Sequence, residues 1–304
     1  MNTTAMTPEA SVGKPAINAL SLGAGVQSSA LLVAACRGLV EKFDVCIFAD
    51  TGWESITVYQ HLLRLERLAA AHHIPVVRVG AGNIRLDALN PASRFASMPL
   101  FTLAPNGQRG MARRQCTSSY KISPLKKEVR RRLGYPHPRR VPAAVWAQMA
   151  IGISVDEIGR ARDSDVRYMR NTFPLLDLGW RRSDCLSYLA ENGLADTPRS
   201  SCVGCPFHSD DFWADLKSNQ PLEWASAVAF DHAIRNGSAR ATANGHPLRG
   251  QFFLHRQRIP LDQVVLRPRA GGEPEQGCGP WTCPATPPAG GGGDAAGDAG
   301  RGVA

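Results

Sequence analysis

INALSLGAGVQSSALLVA, residues 17–34, decides the fold. The apolar run from Ile17 to Leu22 reads as a strand, Gly23, Ala24 and Gly25 as a tight turn, and Ser28 to Val40 as a helix. The alternation continues with a strand at Val45 to Ala49, a helix from Glu54 to His72 and a strand at Val76 to Val79. In the second helix Val58, Leu62, Leu65 and Ala69 fall on one face. Neighbouring parallel strands need a crossover long enough to hold a helix, so this rhythm predicts an α/β fold, a Rossmann-like doubly wound parallel sheet. Ligands of such sheets bind beyond the carboxyl ends of the strands.

Further along, Pro91, Pro99, Pro105 and Asn106–Gly107 punctuate residues 80–115, which reads as a long mobile loop. Regularity returns with a helix from Ser123 to Leu133 and a buried strand from Ala147 to Ile153. Further helices are expected at Ser183 to Glu191, Asp210 to Lys217 and Leu222 to Arg235. The expected organisation is a flexible N-terminus at 1–15, a sheet domain at 16–210 and a helical extension at 211–270. The last 34 residues, 271–304, hold 11 Gly and 5 Pro and read as a disordered tail.

The 304 residues are 43% hydrophobic and 20% charged, enough apolar material for a large core and unlike collagen, a coiled coil or a disulfide scaffold. No apolar run approaches the roughly 18 residues of a membrane span, and the first sixteen residues lack a signal-peptide core. A cytoplasmic address without membrane contact is expected. Net charge is +9, and eleven Lys and Arg against the single acid Glu128 crowd residues 109–140, leaving the remainder close to neutral. Such a block attracts a nucleic acid or a multiply charged phosphate ligand. The other reading is a solvated helix face, with Leu125, Val129 and Leu133 at helical spacing.

Small residues after the first strand let backbone N–H groups approach phosphate oxygens, and the Ser28 and Ser29 hydroxyls add donors at a helix N-terminus. A plain structural turn is the alternative, since neither the Gly-Lys-Ser/Thr ending nor G-x-G-x-x-G is present. Among eight cysteines, Cys202 and Cys205 form a C-x-x-C turn around Gly204. Cys116, beside Arg113, Arg114 and Lys121, is the candidate third thiolate. These three with His208 would also make a closed structural zinc site. Cys36, Cys46 and Cys185 read as packing thiols, while Cys278 and Cys283 could add ligands. His72 and His73 end a helix; His255, near Arg256 and Arg258, reads as solvated surface or a phosphate contact. Trp53, Trp213 and Trp224 read as core or interface.

LSLGAGVQSS resembles the PP-loop of the adenine nucleotide alpha-hydrolase superfamily, S-G-G-x-D-S, with Ala24 and Gly25 at the glycines and Ser28 at the serine. Gly23 replaces the first Ser and Gln27 the Asp, so Mg²⁺ and pyrophosphate contacts do not carry over to those two side chains. FADTGWE (Phe48 to Glu54), GISVDEIGRA (from Gly152) and FPLLDLGWRRSDCLSYLAENGL are similar to segments of the phosphoadenosine phosphosulfate reductase branch. The resemblance spans about residues 17 to 210.

The resemblance implies ATP and Mg²⁺, with Gly23, Ala24, Gly25, Gln27, Ser28 and Ser29 around the phosphates. Asp50, Thr51 and Gly52 would face nucleotide or metal, and Asp50, Glu157 and Arg160 would be the catalytic candidates. Cys116, Cys202 and Cys205 match the [4Fe-4S] ligands of iron–sulfur thiolation and DNA phosphorothioation members. The implied enzyme is an ATP-dependent sulfurtransferase that adenylates a nucleotide, nucleobase or nucleic-acid acceptor and takes sulfur from sulfide or a cysteine desulfurase; a homodimer is left open. The competing readings are a sulfonucleotide reductase, whose E-C-G-x-H motif is absent, and a non-catalytic nucleic-acid-binding protein with structural zinc.

Overall fold

The computed structural model describes residues 13–93 and 98–267. The tail from 271 and its Cys278 and Cys283 lie outside the described residues, as does most of the N-terminal segment. β1 (Ile17–Ser21), α1 (Val26–Cys36), β2 (Val45–Asp50), α2 (Ile56–Ala71) and β3 (Val76–Gly80) follow the expected alternation. Then come α3 (Ile84–Leu89), β4 (Phe101–Leu103), β5 (Arg109–Met111), a π-helix (Thr117–Ile122) and α4 (Ser123–Arg132). β6 (Ala147–Ile151), a 3₁₀ segment (Val155–Arg160), β7 (Met169–Thr172), α5 (Pro174–Asp177) and α6 (Arg182–Glu191) complete the α/β part. The C-terminal part holds α7 (Asp210–Asn219), α8 (Pro221–Ala233), α9 (Ala239–Ala243) and β8 (Gln251–Phe253).

The main sheet is parallel in the order β3-β2-β1-β6-β7. β1 sits at its centre, with Ala19 opposite Val45 on one side and Met149 on the other. The chain runs outward from β1 to β3 and then returns to β6, so the crevice between the carboxyl ends of β1 and β6 is the topological switch point. The turn after β1 opens there.

Each face of the sheet has its own core. Leu31 and Leu32 of α1, Leu62 and Leu65 of α2 and Leu189 of α6 bury one face. Leu125 and Val129 of α4 cover Ile47 and Met149 on the other. α1 is buried from Val26 to Ala35 because α2 and α6 flank it, which is why it is apolar almost all round. A third core gathers Trp213, Phe230, Leu254 and Leu100 under the C-terminal helices.

Residues 80–115 differ from the expected loop. They hold α3 and the β4–β5 hairpin, and β4 pairs antiparallel with β8. Met98, Leu100 and Phe101 are buried, β4 begins at Phe101, and Asn106–Gly107 lies in the hairpin turn, with Gly107 at φ 82°. β7 was not expected from the sequence, because MRNT carries no apolar alternation; its pairing with β6 supplies the order. α1 ends at Cys36 rather than Val40, and Gly38 takes φ 76° just beyond it. His255 corrects the surface reading: it is buried, with Nε2 3.1 Å from an Asp210 carboxylate oxygen that Arg256 also reaches.

His61 of α2 is buried against α1, 3.0 Å from the Ser29 hydroxyl, and its Nδ1 has no hydrogen-bond partner among the described residues. Burial, helped by Arg64, lowers its pKa from 6.5 to about 4. The unfolded chain therefore takes up this proton before the folded one does, and the stabilisation held above pH 6.5 is lost as pH falls towards about 4. His61→Gln, which cannot titrate, should flatten that part of a stability-versus-pH curve measured by urea unfolding. A variant curve as steep as the wild type's would show that His61 does not carry this dependence.

Candidate active site

The turn after β1 is held from within. Ser28 Oγ accepts the Gly23 N–H at 3.1 Å and donates to the Gly25 carbonyl at 3.2 Å. Ala24 sits at φ 53°, a left-handed conformation that costs a residue with a Cβ about 1–2 kcal/mol. α1 starts at Val26, so Ser28 and Ser29 belong to its first turn, and no side chain caps that end. The first-turn N–H groups and the helix dipole thus meet the switch point without a side-chain cap in front of them. Ser29 differs from the sequence expectation. It is fully buried and its hydroxyl faces His61, on the core side of α1 and away from the turn.

The end of β6 comes very close to this turn. A Cβ on Gly152 would stand 2.8 Å from the Ser28 nitrogen and 3.0 Å from the Gln27 carbonyl carbon, so only glycine fits. That approach brings the 3₁₀ segment to the loop. Gln27 Nε2 donates to Glu157 at 3.2 Å, and its Oε1 accepts from Arg182 at 3.0 Å. Arg160 pairs with the other Glu157 oxygen. Burial raises the Glu157 carboxyl above its ordinary range despite Arg160 and Arg182 beside it. Gln27 thus acts as a neutral two-way connector, and Glu157 and Arg160 are gathered around it. Arg182 is a member of this group that sequence reasoning does not single out; it lies within FPLLDLGWRRSDCLSYLAENGL, whose resemblance assigns it no role.

Asp50 ends β2 and uses Oδ1 locally, accepting from the Gly52 N–H and the Tyr59 hydroxyl, each at 2.7 Å. Gly52, at φ 74°, lies under Asn83, whose side-chain amide donates to its carbonyl at 2.6 Å. Thr51 turns the other way from the expected nucleotide contact. It is buried, donates to Glu54 at 2.9 Å and lies 3.2 Å from Cys202 Sγ. The Cys202 thiol donates to the same Glu54 oxygen at 3.6 Å. Glu54, 4% exposed, also meets Lys121 at 3.7 Å, and its Oε2 has no hydrogen-bond partner among the described residues. This carboxylate, read in the sequence only as part of FADTGWE, is a site residue the motif named without a role.

The segment around the C-x-x-C turn joins the two groups. Cys202 bridges Glu54, and the Val203 N–H bonds the Trp53 carbonyl at 2.9 Å. Two residues earlier, Ser200 Cβ lies 3.1 Å from where a Gly25 Cβ would be. Two extended residues span at most ~7 Å, so the contact with the turn after β1 and the first cysteine of the C-x-x-C turn belong to one continuous site. Gly204 is demanded by packing: a Cβ there would fall 2.1 Å from the Trp53 ring. Cys205 N–H closes the turn onto the Cys202 carbonyl at 3.1 Å.

Cys116, Cys202 and Cys205 line one small cavity, together with Thr51, Arg114 and Lys121. Its volume, ≈ 20 Å³, suits a water-sized body. No three His, Cys, Asp or Glu side chains among the described residues are grouped closely enough to hold a metal ion. His208 does not line the cavity: its Nε2 donates to the Cys202 carbonyl at 2.8 Å and its ring stacks on Phe212, so it is not placed as the fourth zinc ligand that the sequence allowed. The donor set itself suits a soft metal or an iron–sulfur group, with Arg114 and Lys121 beside it to offset thiolate charge. Holding one would require the three sulfurs to rotate onto a common centre. Cys46 and Cys185 are fully buried elsewhere, and burial raises both thiols, Cys185 to about 12.

No protein-family model and no curated protein matches this chain. Among solved structures it is similar to a phosphoadenylyl-sulfate (PAPS) reductase from Candida auris in a phosphate complex, with 13% identity and a TM-score of 0.34 over 61% of this chain and 79% of that one. What the site can do follows from its own residues. Among the described residues, no helix is long and apolar enough to cross a membrane.

Gly204→Ala should force Trp53 and the cysteine turn apart, costing about 1–3 kcal/mol in urea unfolding and shifting tryptophan emission. Gly159→Ala, where a Cβ meets nothing within 4 Å, is the matched control and should leave both unchanged. Equal behaviour of the two variants would show that the Trp53–Gly204 contact does not set the turn.

Proposed function

We propose that this chain is a PP-loop-type enzyme that adenylates an acceptor with ATP for sulfur transfer, with an iron–sulfur cluster on Cys116, Cys202 and Cys205. The observation that supports this reading is the run from Ser200 to Cys205, which touches the phosphate turn at Gly25 at one end and brings two cysteines to the Cys116 cavity at the other. A nucleotide-activating site and a sulfur-handling site would then share one wall.

In this reading an acceptor oxygen attacks the α-phosphate of ATP, pyrophosphate leaves, and sulfur then adds at the activated carbon as AMP departs with the oxygen. The turn at Gly23, Ala24 and Gly25 and the first N–H groups of α1 hold phosphate oxygens. Arg160 and Arg182 supply positive charge that the phosphates would share with Glu157, and Gln27 orients that carboxylate. Asp50, one oxygen of which is committed to its own turn, offers the other towards Mg²⁺. Glu54 and Lys121 fix the charge beside Cys202. A bound cluster would supply an iron able to carry sulfur, which the thiols alone do not. The acceptor is a nucleotide, nucleobase or nucleic acid, and sulfide or a cysteine desulfurase is the donor class.

Purified without oxygen and supplied with iron and sulfide, the full chain should be brown with about four irons per chain, and release AMP and pyrophosphate from ATP when acceptor is present. Cys116→Ala, Cys202→Ala and Cys205→Ala should each lose the colour, whereas Cys185→Ala should keep it. A colourless chain carrying zinc would overturn the iron–sulfur reading. Sulfite released from a sulfonucleotide, with no AMP from ATP, would overturn adenylation in favour of a reductase.

A further inference from the structure

A second cavity, ≈ 600 Å³, lies against the basic face of α4. Lys126, Lys127, Arg130 and Arg131 line it together with His137 and Tyr168. Two carboxylates, Asp165 and Glu128, pair with Lys126, Arg131 and the neighbouring Arg132. Lys126 pairs with Asp165, whose side chain is 73% exposed, so solvent screens the carboxylate's hold on it. Arg131 shares Glu128 with Arg132, so one carboxylate answers two guanidinium groups. Arg130 donates to the carbonyls of Tyr135 and Arg139 and lies over the Tyr168 ring at 5.7 Å. Lys127 is exposed, and Arg139 and Arg140 continue the exposed positive strip beyond the helix.

The arrangement favours an extended ligand. Lys126 with Arg130, and Lys127 with Arg131, are i,i+4 pairs whose Cβ atoms stand ~5–6 Å apart, so the cations step along the groove rather than converge on one point. The volume falls within the ~300–1,000 Å³ of pockets that enclose whole small molecules, more than a single phosphate fills. Ser118, Ile122 and Ser123 form one side of this groove, while Cys116, Thr117 and Lys121 line the cysteine cavity. The π-helix is therefore the wall between the two, and a chain lying in the groove passes about one helix diameter, ~10 Å, from the cysteines.

We propose that this groove binds the sugar–phosphate backbone of a nucleic-acid strand. The inference stands on the groove's own charge and shape and holds whether or not the cysteine cavity carries a cluster, so loss of ATP turnover and loss of strand binding are separate results.

The test is fluorescence anisotropy of a labelled single-stranded oligodeoxynucleotide with the full chain across a range of salt. Wild type should bind, with affinity falling steeply as salt rises. Lys127→Glu with Arg131→Glu should weaken binding at least tenfold at low salt and lower the log–log salt slope by about two. Lys42→Glu with Arg67→Glu makes the same change in net charge at exposed positions away from the groove and should leave both unchanged. If the first pair lowers the melting temperature, Lys127→Gln alone should still reduce the slope by about one. Equal affinity in wild type and the groove variants, or equal loss in the control pair, would overturn the proposal. So would displacement of the strand by inorganic tripolyphosphate at equal phosphate concentration, which would assign the groove to free phosphate compounds instead.

Discussion

A short seam of backbone carries the site. The Val203 N–H on the Trp53 carbonyl and the Trp53 ring on Gly204 fasten the segment from Ser200 to Cys205 across the carboxyl end of β2. Once that seam is closed, Ser200 lies over the turn after β1 and Cys202 beside Thr51 and Glu54. Trp53 also packs edge-on against Phe230 at 4.9 Å, so α8 and the third core press on the same ring. The C-terminal helices are thereby part of the site's support rather than an appendage to the sheet.

Two kinds of electrostatics meet at this seam. On the loop side, Gln27 joins the Glu157 carboxylate to the Arg182 guanidinium without adding charge of its own. On the cysteine side, Glu54 and Lys121 are both almost completely buried, and two charges are removed from water only where their partners are good. The Thr51 hydroxyl and the Cys202 thiol supply part of that compensation. Glu54 Oε2 remains buried without a hydrogen bond among the described residues, which is unusual enough in a folded protein to mark the place as shaped for more than packing.

Periodicity made the sheet legible. The runs around β1, β2 and β3 and the helices between them read directly, because apolar strands buried on both faces and an amphipathic α2 leave strong patterns. Three-residue strands leave none, so no pattern marks β4, β5 and β8, and residues 80–115 read as a loop in the sequence. The cysteines could be grouped by their number and neighbours, and the fold does draw Cys116 to the C-x-x-C turn. What no spacing rule carries is direction: Ser29 and Thr51 sit in the expected places but point into the core and towards the cysteines. Likewise His255 lies among arginines in the sequence, yet its ring is buried on Asp210.

The π-helix between Cys116 and α4 sets an angular relation as well as a partition. A π-helical turn holds more residues than an α-helical one, and each residue of an α-helix advances the side chain by about 100°. The wide turn at Thr117–Ile122 therefore offsets everything upstream of it by a fraction of a revolution relative to α4. Cys116 owes its heading to that offset. In a chain one residue shorter here, wound as a plain α-helix, the sulfur would swing away from Cys202 and Cys205 while the basic residues of α4 stayed where they are. The extra residue thus sets which side of the segment faces the cysteine cavity and which faces the basic groove.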